Sequence, residues 1–248
     1  MSSSQLIVLA LLFFATSLVG VVTGSNSLIT VPVMFQFGID EKVAVATNMF
    51  GLTFMAIGGT IPFVRQGRIN IARLTPMIVI TAVGSAIGAL LVGLITNDTI
   101  RLVVVVAMIV VTAFTLLNQN AERSGAKEKI SVLVAYPLIF LLAIYGGLYS
   151  GGYVTILTAA LVAFSGMTFS ESIGSTKLLN VFSSGIATLV FMWQGLVDYR
   201  LGIILGVAMF AGAYAGAHYA TKMNEVWLRR IFLTTVIILA LKTIVDFL

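Results

Sequence analysis

Gly20-Val21-Val22-Thr23-Gly24-Ser25-Asn26-Ser27 breaks an otherwise apolar stretch with glycines, hydroxyls and an amide. A second break of the same kind, Gly146-Gly147-Leu148-Tyr149-Ser150-Gly151-Gly152-Tyr153-Val154-Thr155, lies in the other half of the chain. Gly24 and Gly152 are 128 positions apart, and that offset also carries Gly67 onto Gly195, Gly84 onto Gly212, Gly88 onto Gly216 and Arg101 onto Arg229. Ser27 with Thr155, Thr47 with Ser175, Phe54 with Phe182 and Ile69 with Val197 keep the same register. The chain therefore reads as two copies of one pattern, residues 1–120 and 121–248, within one integrated membrane domain. A duplication with a Gly-interrupted segment at matching places is a common plan for secondary transporters.

Hydrophobic residues make up 59% of the 248 positions and charged residues 9%, against about 25% charged in an average soluble domain. So little charge could not cover a soluble surface, and several apolar runs approach the ~20 residues that cross a bilayer core. The expected class is all-α and polytopic. With no cysteine, a disulfide framework and a thiolate metal site are excluded. The net charge of +5 is scattered over short loops, which suits membrane orientation rather than nucleic acid. Met1 to Gln5 lack a positive n-region, so residues 5–23 are expected to stay in the mature fold.

Apolar segments fall at about 5–23, 27–38, 43–64, 72–96 and 100–118, then at about 131–149, 153–167, 172–194, 200–221 and 228–247. The polar stretch 119–130 joins the halves. The second segment of each half is short, as expected of a broken helix or one arm of a hairpin. If segments one and two bring the chain back to its starting face, nine Lys and Arg lie on the opposite face and four on the starting face. If the second segment only dips, the division is eight to five. The positive-inside bias favours the first arrangement, with both termini outside. Five passes per half is odd, so the second half runs inverted; parallel repeats would need an even count.

Irregular backbone at membrane depth is tolerated where protein or a wet cavity satisfies it. Inverted halves would bring the two breaks together near the midplane, with helix N-termini aimed at one point. That is an anion site built from backbone. The other reading of these glycines is close helix packing. A second polar island pairs Ala46-Thr47-Asn48-Met49 with Gly174-Ser175-Thr176-Lys177, with Asn180 a turn further on. Lys177 is the one basic residue within a span, where charge is usually functional. It either faces an anion or snorkels back past Glu171 to the interface.

Gly84-x-x-x-Gly88, Gly202-x-x-x-Gly206 and Gly212-x-x-x-Gly216 read as helix-packing surfaces. His218, near a helix end, is either a proton relay or a plain interfacial residue. Asp40/Glu41, Asp98 and Ser170/Glu171 read as helix starts, and Trp193, Tyr199 and Trp227 as interface anchors. No Asp or Glu stands deep in a span, which weakens carboxylate-based cation coupling. Neither a phosphate-binding Gly-rich loop nor a His-Glu-x-x-His motif is present, and no Ser/His/Asp set is plausible, so no enzyme and no cofactor are expected.

Gly-Ser-Asn-Ser-Leu-Ile-Thr-Val-Pro at 24–32, Ala-Val-Ala-Thr-Asn at 44–48 and Gly67-x-Ile69 resemble the TauE/SafE family of membrane transporters, the sulfite and organosulfonate exporters. So do Tyr-Ser-Gly-Gly at 149–152, Gly-Ser-Thr-Lys at 174–177, Asn180 and Gly195-x-Val197-Asp198. The first break departs from the richer glycine run common in that family. The resemblance implies transport of a small sulfur-containing anion: sulfite, a sulfonate or sulfoacetate. It also implies substrate-binding roles for Gly24, Ser25, Asn26, Ser27, Thr47, Asn48, Ser150, Gly151, Gly152, Ser175, Thr176 and Lys177. The expected partners are that anion and the bilayer of a cell (inner) membrane, with a proton or sodium as possible coupling ion and no nucleic acid. An anion channel, a carrier of a carboxylate or another inorganic anion, and a non-transporting membrane partner remain open.

Overall fold

The computed structural model describes residues 3–24, 26–117, 132–224, 226–228, 230, 231 and 234. The linker 119–130, Ser25, Arg229 and most of the segment expected at 228–247 lie outside the described residues. The elements are α1 (Ser3–Thr23), α2 (Ser27–Gln36), α3 (Glu41–Arg65), α4 (Ile71–Leu94), α5 (Asn97–Leu117), α6 (Val132–Leu148), α7 (Tyr153–Ser165), α8 (Phe169–Trp193) and α9 (Tyr199–Ala220). Among the described residues, α1, α3, α4, α8 and α9 are long and apolar enough to cross a membrane. The protein is an all-helical, multi-pass membrane protein. At 1.5 Å per residue, α2 and α7 extend only about 15 and 20 Å, too short for a hydrocarbon core of about 30 Å.

The same local chemistry starts and stops the helices of both halves. Asp40 accepts from the N–H of Lys42 and Val43 (3.0 and 3.2 Å) to open α3, and Thr168, 128 residues on, opens α8 through a capping box with Glu171. Asn70 and Asp198, again at that offset, cap α4 and α9 by accepting from Arg73 N and Leu201 N. All six glycines of positive φ among the described residues form three such pairs: 24/152, 38/166 and 67/195. The pair 38/166 was not among those read from the sequence.

The expected start at Ser170 is corrected. Thr168 is extended and turns its hydroxyl to Glu171 N, whereas Ser170 already lies inside the first turn. At α5 it is Thr96 whose hydroxyl accepts from Thr99 N, while Asp98 sits in the first turn, where a negative charge suits the helix dipole. Glu41, in the first turn of α3, forms an ion pair with Arg101 of α5.

Contacts fix the direction of the helices. Gly202 and Gly206 face Phe50 and Phe54, so α9 runs parallel to α3. Gly212 and Gly216 meet the carbonyls of Phe14 and Leu18, so α1 runs that way too. Thr53 and Thr188 share a hydrogen bond (3.1 Å), Gly59 lies by Lys177 and Gly174 by Phe63, so α8 is antiparallel to α3. Ser85 bonds Ser183 at 2.6 Å and Gln194 lies by Leu90, which aligns α4 with α8. Gly84 and Gly88 meet the carbonyls of Phe140 and Ile144 of α6. Exchanging the halves maps the α1–α9 contact onto α6–α4 and α3–α9 onto α8–α4.

One face, A, therefore carries the starts of α1, α3 and α9 and the end of α4; the other, B, carries the 66–70 turn and the starts of α4 and α8. Because α1 and α3 set out from the same face, α2 returns the chain to it.

The glycine pairs act in packing, as the spacing predicts. At Gly88 a Cβ would sit less than 3.0 Å from backbone atoms of both Ile144 and Leu148. A Gly88→Leu substitution forces α4 and α6 apart. We expect a loss of about 3 kcal/mol or more, read as lower melting temperature and aggregation on size-exclusion chromatography.

Candidate functional site

The two breaks touch. Ser27 and Ser150 hydroxyls lie 2.8 Å apart, Tyr149 donates its hydroxyl to Ser27 O at 3.0 Å, and Thr155 donates to Thr23 O at 2.7 Å. A Cβ on Gly24 would stand 2.7 Å from Thr155 N, so glycine is needed here for contact between the copies as well as for φ +74°. Neither Asn26 nor Gly152, the residues preceding α2 and α7, makes a side-chain cap. Both helices thus begin at one place without a side-chain cap from Asn26 or Gly152, with their positive dipole ends beside it.

Between the breaks is a buried cavity lined by Gly20, Gly24, Asn26, Ser27, Leu52, Met55, Ala56, Ser150, Val154, Lys177 and Asn180. Leu52 to Ala56 fall near the middle of α3 and Lys177 to Asn180 near the middle of α8, which sets the cavity at mid-depth. About 10 Å³ is open to the centre of a water-sized molecule, room for one water. Lys177 is 2% exposed and donates to Gly20 O at 3.3 Å. It therefore does not snorkel; its ammonium lies against the first break. Asn26 is 3% exposed, and neither its amide nitrogen nor its amide oxygen has a partner. A buried amide without partners is costly, of order 1–3 kcal/mol.

The twelve residues expected at the site fall into groups. Gly24, Asn26, Ser27, Ser150 and Lys177 line the cavity. Asn48 stands behind it, donating to Ser27 Oγ at 2.9 Å and accepting from Thr30 at 2.8 Å. Thr176 holds the matching place, 3.2 Å from Thr158 Oγ1. Gly152 (φ +76°) turns the chain into α7. Gly151 packs against the Tyr149 ring, and its carbonyl accepts from Tyr145. Thr47 and Ser175 are not brought to the cavity. Thr47 accepts from Asp198 N at 3.0 Å near face A. Ser175 borders a separate cavity of about 590 Å³ on face B, with Arg68, Asn70, Arg73 and Glu171. Ser25 lies outside the described residues.

Sequence reading missed Tyr149, Gly20, Thr30 and Thr158. The last two carried a signal, being identical residues at the 128 offset. Tyr149 has Val21 as its counterpart, so the repeat carried no signal for it, although it stands in the Tyr-Ser-Gly-Gly stretch at 149–152. His218 is exposed at the end of α9, edge-on to Tyr219.

With this geometry in hand, comparison with known proteins is decisive at the level of family. The sequence profile described as Sulfite exporter TauE/SafE matches residues 8–243. The chain belongs to the TauE/SafE family. A relative from Sinorhizobium sp, named probable membrane transporter protein ORF9, is 26% identical over 242 residues, 96% of this chain and 93% of its own. Probable membrane transporter protein YfcA of Escherichia coli (strain K12) is 24% identical over 247 residues, 97% and 91% of the two chains. Probable membrane transporter protein YdhB of Bacillus subtilis (strain 168) is 26% identical over 240 residues, 94% and 97%. No solved structure matches. Within the TauE/SafE family this chain is thus kin to proteins named as membrane transporters.

Proposed function

We propose that the protein is a secondary carrier of a small sulfur-containing anion, sulfite or a sulfonate, bound between the two breaks and released to either side by alternating access. The observation that carries this reading is the buried meeting of two helix starts with Lys177 and the unpartnered Asn26. Donors and a cation gathered in low dielectric favour an anion. The family description supports sulfur as its element.

We read the fold as two inverted repeats, residues 1–120 and 121–248. The antiparallel packing of the equivalent helices α3 and α8 supports this. Inversion lets one pattern adopt two conformations, so exchanging them moves the opening across the membrane. The two faces differ in the way such an exchange requires. On face A the turn after α8 is closed on Thr47 by the Asp198 N–H; on face B the equivalent turn and Ser175 border a cavity of about 590 Å³. The cavity itself is too small for sulfite, so loading requires the breaks to separate.

Face B is assigned to the cytoplasm of a bacterial-type inner membrane. Arg65, Arg68, Arg73, Lys222 and Arg230 fall there among the described residues, against Lys42, Arg101 and Arg200 on face A.

A chain without cysteine offers a clean test. Ser175 is buried but borders the face-B cavity, so in inside-out vesicles a Ser175→Cys variant is expected to react slowly but measurably with a membrane-impermeant maleimide. In right-side-out vesicles Thr47→Cys is expected to be protected. Sulfite or a sulfonate should change both rates in opposite senses. Rates indifferent to every anion, or moving together, would contradict alternating access.

A further inference from the structure

Resting on the anion-site reading above, we infer that the cavity, once the breaks separate to admit a guest, takes a monovalent oxyanion that carries a hydrogen-bond donor of its own, such as a hydroxylated sulfonate or a singly protonated oxyanion. Three observations lead there.

The first is charge. Of the residues lining the cavity, Lys177 alone is ionisable. The acid–base pair Glu41–Arg101 neutralises itself near face A. A protonated Lys177 offers one positive charge, and one negative charge on the guest cancels it. A divalent guest would leave a net charge in a water-poor site at mid-depth, where an uncompensated charge is strongly disfavoured.

The second is the supply of donors. The Ser27–Ser150 contact uses one of two hydroxyl protons, which leaves the other free to turn toward the cavity. With Lys177, the Asn26 amide nitrogen and the amide of Asn180, which lines the same cavity, a guest meets four donor groups, enough for the oxygens of a sulfonate or sulfite.

The third is the Asn26 oxygen. It is an acceptor, it is buried and it has no partner. Turning the amide over exchanges its oxygen and nitrogen but still leaves one unpartnered donor and one unpartnered acceptor. A fully deprotonated oxyanion has nothing to give that acceptor; a guest with an O–H or N–H does. Asn26 therefore reads a donor on the guest, and Lys177 reads its charge.

Calorimetry on the purified full-length protein separates these roles, with ethanesulfonate, 2-hydroxyethanesulfonate, sulfate and ethane-1,2-disulfonate as probes. The two monovalent sulfonates are expected to bind, the hydroxylated one more tightly, with both divalent ions weaker by about tenfold or more, a gap of about 1.4 kcal/mol. An Asn26→Leu variant should bind ethanesulfonate and 2-hydroxyethanesulfonate alike. A Lys177→Met variant should lose the preference for single charge; Met is the residue at the equivalent position 49. Monodisperse elution and a helical circular dichroism spectrum establish that each variant is folded. Divalent ions binding wild type as tightly as monovalent ones would overturn the inference and leave the anion site standing. So would a hydroxyl preference that survives Asn26→Leu. Binding of none of the four would overturn the inference and the anion-site reading together.

Discussion

A Lys177→Met variant is expected to lose transport while becoming more stable. The ammonium lies in a fully buried position with one backbone carbonyl, Gly20 O at 3.3 Å, as its hydrogen-bond acceptor. Among the described residues, no carboxylate lines the cavity beside it. Holding a charge there without a counter-ion opposes folding. Replacing buried charge by an apolar side chain of similar length is neutral or stabilising by about 1–4 kcal/mol. The same change removes the one cation available to the guest. Losing a desolvated charged contact costs about 3 kcal/mol, roughly a hundredfold in affinity. The expected readings are a melting temperature in detergent equal to or above wild type and counterflow reduced to background. A variant that is less stable yet transports normally would mean that Lys177 has only a structural role.

The second large effect is expected at Gly24. Its φ of +74° is a conformation that β-branched residues avoid. A Cβ there would also stand 2.7 Å from both Thr155 N and Val154 Cγ1 of the opposite break. A Gly24→Val substitution therefore adds backbone strain of about 1–3 kcal/mol to overpacking of about 1–3 kcal/mol. Both fall on the contact between the two copies. Loss of counterflow is expected together with a lower melting temperature, the opposite stability sign from Lys177→Met. That pair of signs separates a residue that holds the site together from one retained for the ligand. A control at Gly67, where a Cβ would meet nothing within 4 Å, is expected to show only the strain of its positive φ.

Much of this fold was legible because the chain states it twice. Gly24/Gly152 and Gly67/Gly195 announced turns, and Gly84/Gly212 with Gly88/Gly216 announced helix contacts. Backbone geometry needs glycine at those places, so the repeat preserves them. Of the capping residues only Asp40 was legible: its counterpart Thr168, and Asn70 with Asp198, keep the function and change the residue. Ser170 and Glu171 read as a helix start because they stand just before an apolar run; only the backbone angles place the cap at Thr168.

The site was less legible. Thr47 and Ser175 share a register with Asn48 and Thr176, yet one residue of difference on a helix turns a side chain by about 100°. Thr47 meets the Asp198 turn while Asn48 meets Ser27. The direction of Lys177 could not be read at all, since a lysine stem reaches either the interface or the midplane from the same Cα. Tyr149 and Asn26 depart from the repeat, having Val21 and Val154 as counterparts.

Counterflow of radiolabelled sulfite or 2-hydroxyethanesulfonate in proteoliposomes tests the central claim most directly. Vesicles holding wild-type protein and preloaded with unlabelled anion are predicted to accumulate label transiently and saturably, while those holding Lys177→Met do not. Label entering without saturation and with unitary currents would show a channel, and equal counterflow by both proteins would place the site somewhere other than where the two breaks meet.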